Sequence, residues 1–260
     1  MSTLNRNPGS TYSVAGTRAD AAIDQGLRAY MLGVYNYMTF GLALTGLFAV
    51  GAFLLATTQN PDQAVAQLGN GTLITSFGAA LYGSQLKWVV MLAPLGMVFF
   101  LSARIHAMSG STARTMFMVY AALMGLSLSS IFLVYTGNSI ARVFFITAAS
   151  FGGLSLYGYT TKKSLSGLGS FLMMGLIGIV IASLVNIFLA SSAMQFAISV
   201  IGVLVFAGLT AYDTQQIKEM YYHADGEEVA MKKSIMGALR LYLDFINLFV
   251  MLLQLFGNRD

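Results

Sequence analysis

Asp213 and Asp244 are acids set in stretches that otherwise read as hydrocarbon. Asp244, together with Arg240, lies inside residues 234–256, SIMGALRLYLDFINLFVMLLQLF, a run long and apolar enough to cross a bilayer. Asp213 closes an earlier membrane-length segment, in FAGLTAYDTQQIKEMYY. A charge at membrane depth costs about 2.5 kcal/mol or more, so such residues usually face a bundle interior and mark an ion or proton path. Two carboxylates within about 4 Å in a low-dielectric interior cannot both ionise easily, and they titrate as one coupled unit. That chemistry is a proton sensor. Each acid also has a plainer reading. Asp244 is neutralised by an intrahelical ion pair with Arg240, one turn earlier on the same face, or Asp213 is a solvated acid at a helix end near Lys218. Asn247, three residues after Asp244, is either an extra oxygen ligand or hydrogen-bond partner for the pair, or a packing amide.

The elements that must hold these residues are membrane helices. Hydrophobic residues make up 57% of the 260 and charged residues 9%, with a mean hydropathy of +0.71, whereas ordinary globular domains carry about a quarter charged residues. The charges fall in gaps between long neutral runs, the pattern of several spanning helices. Residues 1–29 read as a polar N-terminal tail whose end is either an interfacial lead-in helix or solvated chain, and residues 30–260 as one transmembrane domain. Spans are expected over 31–56, 86–103 with Pro94 inside, 115–135, 143–161, 168–189, 194 to beyond 213, and 234–256. The uncharged stretch 164–212 is far too long for one crossing and must break, best at 190–193. Residues 64–87, rich in small and polar types, are expected as a loop or interfacial element.

Seven spans put the chain ends on opposite sides of the membrane. With the N-terminus cytoplasmic, Arg6, Arg18, Arg28, Arg104, Arg114, Lys162, Lys163, Lys218, Lys232 and Lys233 lie inside, and only Lys87, Arg142 and Arg259 outside. The alternative lets the last apolar stretch enter and return. If the sixth span persists to about Tyr222 and the seventh starts near Ile235, each acid lies nine residues from its helix end, at matching depth.

Other chemistries find no support. The chain has no cysteine, which removes disulfides, thiolate metal sites and a cysteine nucleophile. The net charge of +4 is scattered between spans, so it reads as topology signals and not as nucleic-acid binding. Short Gly-x-Ser matches at Gly125 to Ser127 and Gly153 to Ser155 lack a base, because His106 and His223 sit at loop ends. No span holds a lysine for a Schiff base. We therefore expect no enzyme activity and no cofactor.

The segments LTAYDTQQIK, LYLDFINLF, GLSLSSIFLVYT and LYGYTTKKSLSGLG resemble the signature stretches of the Bax inhibitor-one (transmembrane Bax inhibitor motif) family, closest in character to its bacterial branch. The resemblance covers about residues 28–258. It implies an all-α fold of seven transmembrane helices with the C-terminal helix central in the bundle. It also implies a pH-sensitive calcium leak with Asp213 and Asp244 as the paired sensor. Calcium prefers six to eight oxygen ligands, so two acids would bind it only weakly and transiently, as a permeant ion. Family members can present a basic residue from the second helix toward the pair; the best positioned here is Arg104, whose alternative is a snorkelling loop arginine. The expected setting is a bacterial plasma membrane. The competing function is a non-conducting regulatory protein that binds another membrane protein, as the family's cell-death suppressors allow.

Overall fold

The computed structural model describes residues 9–69 and 71–259, with side chains described from Ile23 onward. Its elements are α1 (Gly9–Ala56), β1 (Thr57–Thr58), β2 (Ala66–Gln67), β3 (Leu73–Ile74), a short α2 (Ser76–Gly78), α3 (Leu86–Arg104), α4 (Gly110–Leu128), α5 (Gly137–Thr160), α6 (Ser166–Leu189), α7 (Ser192–Glu219) and α8 (Glu227–Phe256). All the α-helices but α2 are long and apolar enough to cross a membrane, making seven spans among the described residues. The protein is an all-α integral membrane protein.

Apolar side chains cover these helices on all sides, so burial and not hydropathy decides which one is central. In α8, 67% of the membrane-length window is buried, against 11–39% in the other six. Helices α1, α3 and α4 pack as one group beside α8, and α5, α6 and α7 as another. Tyr242 of α8 is enclosed by Phe117 and Tyr120 of α4, edge to face at 5.8 and 5.5 Å. Phe245 meets Phe144 and Phe151 of α5, both at 5.5 Å. Such aromatic pairs add about 0.5–1.5 kcal/mol each beyond their buried area. Large side chains on the outer helices point away from the bundle, Phe188 being 88% and Phe145 70% exposed, as a surface solvated by lipid requires.

Where backbones approach closely, glycine allows it. A Cβ on Gly158 of α5 would run into the Ala211 carbonyl of α7, and one on Gly125 of α4 would lie 2.5 Å from the Thr45 carbonyl of α1.

Hydroxyl side chains set several helix starts. Ser109, Thr136 and Ser191 accept the backbone N–H groups of Thr112, Ser139 and Met194 at the N-termini of α4, α5 and α7. The break in the uncharged stretch falls at Ala190, in left-handed conformation (φ 48°), inside the expected window. It is held by Ala190 N–H on the Asn186 carbonyl at 2.8 Å and Ser191 N–H on Asn186 Oδ1 at 3.0 Å.

Several helices outrun their expected boundaries. α4 and α5 begin at Gly110 and Gly137, not 115 and 143, and α8 begins at Glu227, not 234. Each early start carries a charge, Arg114, Arg142 or the Glu227 to Lys233 cluster. A hydropathy window excludes such residues, but a hydrogen-bonded helix does not end at the membrane surface. Of the tail expected over 1–29, residues 1–8 lie outside the described residues, and from Gly9 the backbone is helical and continuous with the first span. The expected loop at 64–87 is structured: β1 and β2 pair antiparallel on either side of β3, and a π turn over Ala79–Gly83 leads toward α3.

α8 runs unbroken to Phe256, with its end tied to the start of α5. Asn258 N–H donates to Ser139 Oγ at 2.9 Å, Thr136 N–H donates to the Asn258 carbonyl at 3.1 Å, and Arg259 lies over the Tyr135 ring at 5.7 Å. The last helix is a full span, not a re-entrant element.

Candidate functional site

The site forms where α7 and α8 pack along each other. Asp244 is 5% exposed on the central helix, and Asp213 faces it from α7, half-buried. Their carboxyl groups lie within hydrogen-bonding reach of each other. Asp244 Oδ2 is buried and without a hydrogen-bond partner. Ionised carboxylates only accept hydrogen bonds, so a bond between these two requires a proton on one of them.

The route to this meeting differs from the sequence expectation. The acids do not each lie nine residues from a helix end: α7 stops six residues past Asp213, while α8 starts seventeen residues before Asp244. About the first three turns of α8 overshoot the end of α7, and the loop 220–226 accommodates the difference. Lys233 fixes that loop, donating to the Met220 carbonyl at 3.0 Å and pairing with Asp225 at 2.5 Å.

The supporting residues divide. Arg240 is exposed one turn before Asp244, and its charge reaches both carboxyls through space. Among the described residues it makes no direct ion pair with Asp244. Lys218 makes no ion pair with Asp213; it donates to the Tyr159 carbonyl at the end of α5, at 2.8 Å, and lies over the Tyr159 ring. Asn247 donates to the Leu243 carbonyl of its own helix at 2.9 Å, so its amide is turned back on α8. Arg104 is the clearest correction. It is exposed in the last turn of α3, a helix that packs on α4, and no contact joins it to either acid among the described residues. No third carboxylate, histidine or cysteine joins the two acids into a metal-holding cluster among the described residues.

Sequence reading missed a hydroxyl chain beside the pair. Thr214, next to Asp213, meets Ser155 Oγ of α5 at 2.9 Å, and Ser155 meets the Tyr35 hydroxyl of α1 at 2.7 Å. Thr214 also donates to the Thr210 carbonyl at 2.7 Å, so its single proton is used within α7 and the chain's protons run toward it from Tyr35. In the sequence Ser155 stands out only as part of a Gly-x-Ser match. Below this chain, Gln215 clamps the α5–α6 loop, accepting Leu165 N–H at 2.7 Å and donating to the Lys163 carbonyl at 3.0 Å.

Comparison with known proteins agrees with this architecture. A family model described as "Inhibitor of apoptosis-promoting Bax1" matches residues 27–260. The chain is 48% identical to an uncharacterized protein of Rickettsia prowazekii, over 96% of this chain and 98% of that one. It is also 48% identical to the inner membrane protein YbhL of Escherichia coli K12, over 93% and 97%. An uncharacterized protein of Borreliella burgdorferi is 42% identical, over 85% and 90%.

Proposed function

This chain belongs to the Bax inhibitor-one family of membrane proteins, and on that footing we propose that it is a pH-sensitive calcium leak gated by Asp213 and Asp244. The observation that carries this reading is the facing carboxyl pair on the central helix and its closest-packed neighbour. A shared proton holds α7 to α8. Its loss leaves two like charges, a repulsion of about 4 kcal/mol at 4 Å and an effective dielectric constant near 20. That is roughly a thousandfold in the ratio of two packing states, enough to move a helix pair between closed and open arrangements. Arg240, acting through space on both acids, limits the repulsion without abolishing it. Calcium is the permeant ion, touching the two carboxyls weakly on its way through.

The N-terminus is cytoplasmic, from the split of basic residues. The membrane is the bacterial plasma membrane, consistent with the inner-membrane description of the Escherichia coli relative.

The test is calcium flux through purified protein in liposomes carrying an internal indicator, at one pH on each side of neutrality. Flux that differs between the two supports the reading. A saturable, submicromolar calcium site without flux at either pH would make this a sensor or a non-conducting regulator of other membrane proteins instead.

A further inference from the structure

A lateral groove of about 1240 Å³ opens between α1 and α5, floored by Phe245, Ile246 and Phe249 of α8. It lies at the seam between the two helix groups, where α1 and α5 pack little on each other and are joined by the Tyr35–Ser155 hydroxyl pair. Small residues on facing membrane helices normally let backbones close in. Here they do the opposite: Gly46 of α1 and Gly137 and Gly152 of α5 line the groove, and a Cβ on any of them would meet nothing within 4 Å. An empty volume of this size forfeits the dispersion contacts of its whole lining. In a bilayer it is filled by what surrounds it, which is hydrocarbon chains.

One end of the groove is cationic. Arg28 lines it at the start of the first span, exposed and without a carboxylate partner among the described residues. Tyr159 lines the same mouth and carries the Lys218 ammonium 5.2 Å from its ring centre. From Arg28 to Val50 the groove follows 22 residues of α1, about 33 Å of helix, comparable to the hydrocarbon thickness of about 30 Å. The geometry points to a binding site for one anionic phospholipid in the half of the groove nearest Arg28: its phosphate lies on Arg28 and its acyl chain runs past Gly152 toward Phe245. A neighbouring membrane helix would have no use for the unpaired Arg28 cation at the mouth, whereas a phosphate does.

The test is native mass spectrometry of the full chain in detergent, with phosphatidylglycerol and phosphatidylcholine in competition. Wild type should retain phosphatidylglycerol about fivefold better, the equivalent of about 1 kcal/mol for one interfacial cation. Arg28→Gln should bring the two lipids to near parity while both still bind. Gly46→Leu with Gly152→Leu, which fills space the fold leaves open, should lose bound lipid of either kind at an unchanged unfolding midpoint. A preference that survives Arg28→Gln, or lipid retained by a folded double-leucine protein, overturns the site. Should the double-leucine protein fail to fold, the Arg28→Gln result decides alone. Disulfide-linked dimers of Gly46→Cys in vesicles would place a second copy in the groove and likewise overturn it.

Discussion

Tyr242 and Asp244 lie two residues apart on α8 and therefore project to nearly opposite sides of it. Tyr242 meets Thr45 Oγ1 of α1 at 2.6 Å, and Asp244 reaches Asp213 of α7. One short stretch of the central helix is thus fastened by a hydroxyl pair to one three-helix group and by a titratable pair to the other. The first link is indifferent to pH across the physiological range. The second is not.

The hydroxyl link has a direction. Thr45 has one proton and two carbonyls in reach, Gly41 at 2.9 Å and Ala121 at 2.8 Å, so the proton between the hydroxyls comes from Tyr242. Tyr242→Phe leaves Thr45 satisfied and should cost about 1 kcal/mol. Thr45→Val strands the Tyr242 hydroxyl in a fully buried setting and should cost more, about 1–3 kcal/mol. Unfolding midpoints in detergent should rank wild type, Tyr242→Phe, then Thr45→Val. The reverse order would mean that Thr45 is the donor.

For the titratable link, Asp213→Asn and Asp244→Asn should each flatten the pH dependence of calcium flux. The double variant should add little, because either change alone already removes the coupled titration. Single variants that keep the wild-type pH profile, or effects that simply add, would dismiss the shared-proton pair as the gate.

Two glycines six residues apart on α5 should respond oppositely to the same change. Gly158→Ala pushes a methyl group into the Ala211 backbone, which has no rotamer with which to yield, and should destabilise by about 3 kcal/mol. Gly152→Ala meets open space and should be neutral, or stabilising by up to about 1 kcal/mol through backbone entropy. Thermal unfolding of the two variants side by side checks both expectations.

Orientation is testable cleanly because the chain contains no cysteine. A cysteine at Asn258 should be labelled by impermeant reagents only from the side opposite to one placed at His223. Asn258 lies at the end of α8 tied to the start of α5, whereas His223 lies in the loop that precedes α8. Intact inside-out and right-side-out vesicles then decide which end is cytoplasmic, and external labelling of His223→Cys in right-side-out vesicles would invert the proposed topology.

The spans, the break near Ala190 and the identity of the two acids were legible in the chain itself. Hydrocarbon must be matched by apolar runs of fixed length, an uncharged stretch of 49 residues cannot cross once, and acids are too costly at depth to go unnoticed. What the chain could not disclose is rotation and offset. Hydropathy is nearly uniform around a membrane helix, so nothing local says that Asn247 turns back on its own helix or that Arg104 stays with α3 and α4. Nor does it say that Tyr35, Ser155 and Thr214, separated by 120 and 59 residues, join hydroxyls across three helices. The early start of α8 was hidden because its charged first turns look like loop. Those features, and the groove left where α1 and α5 pack little on each other, were decided by how the helices pack around α8, because contact between side chains is set by helix rotation and offset in three dimensions.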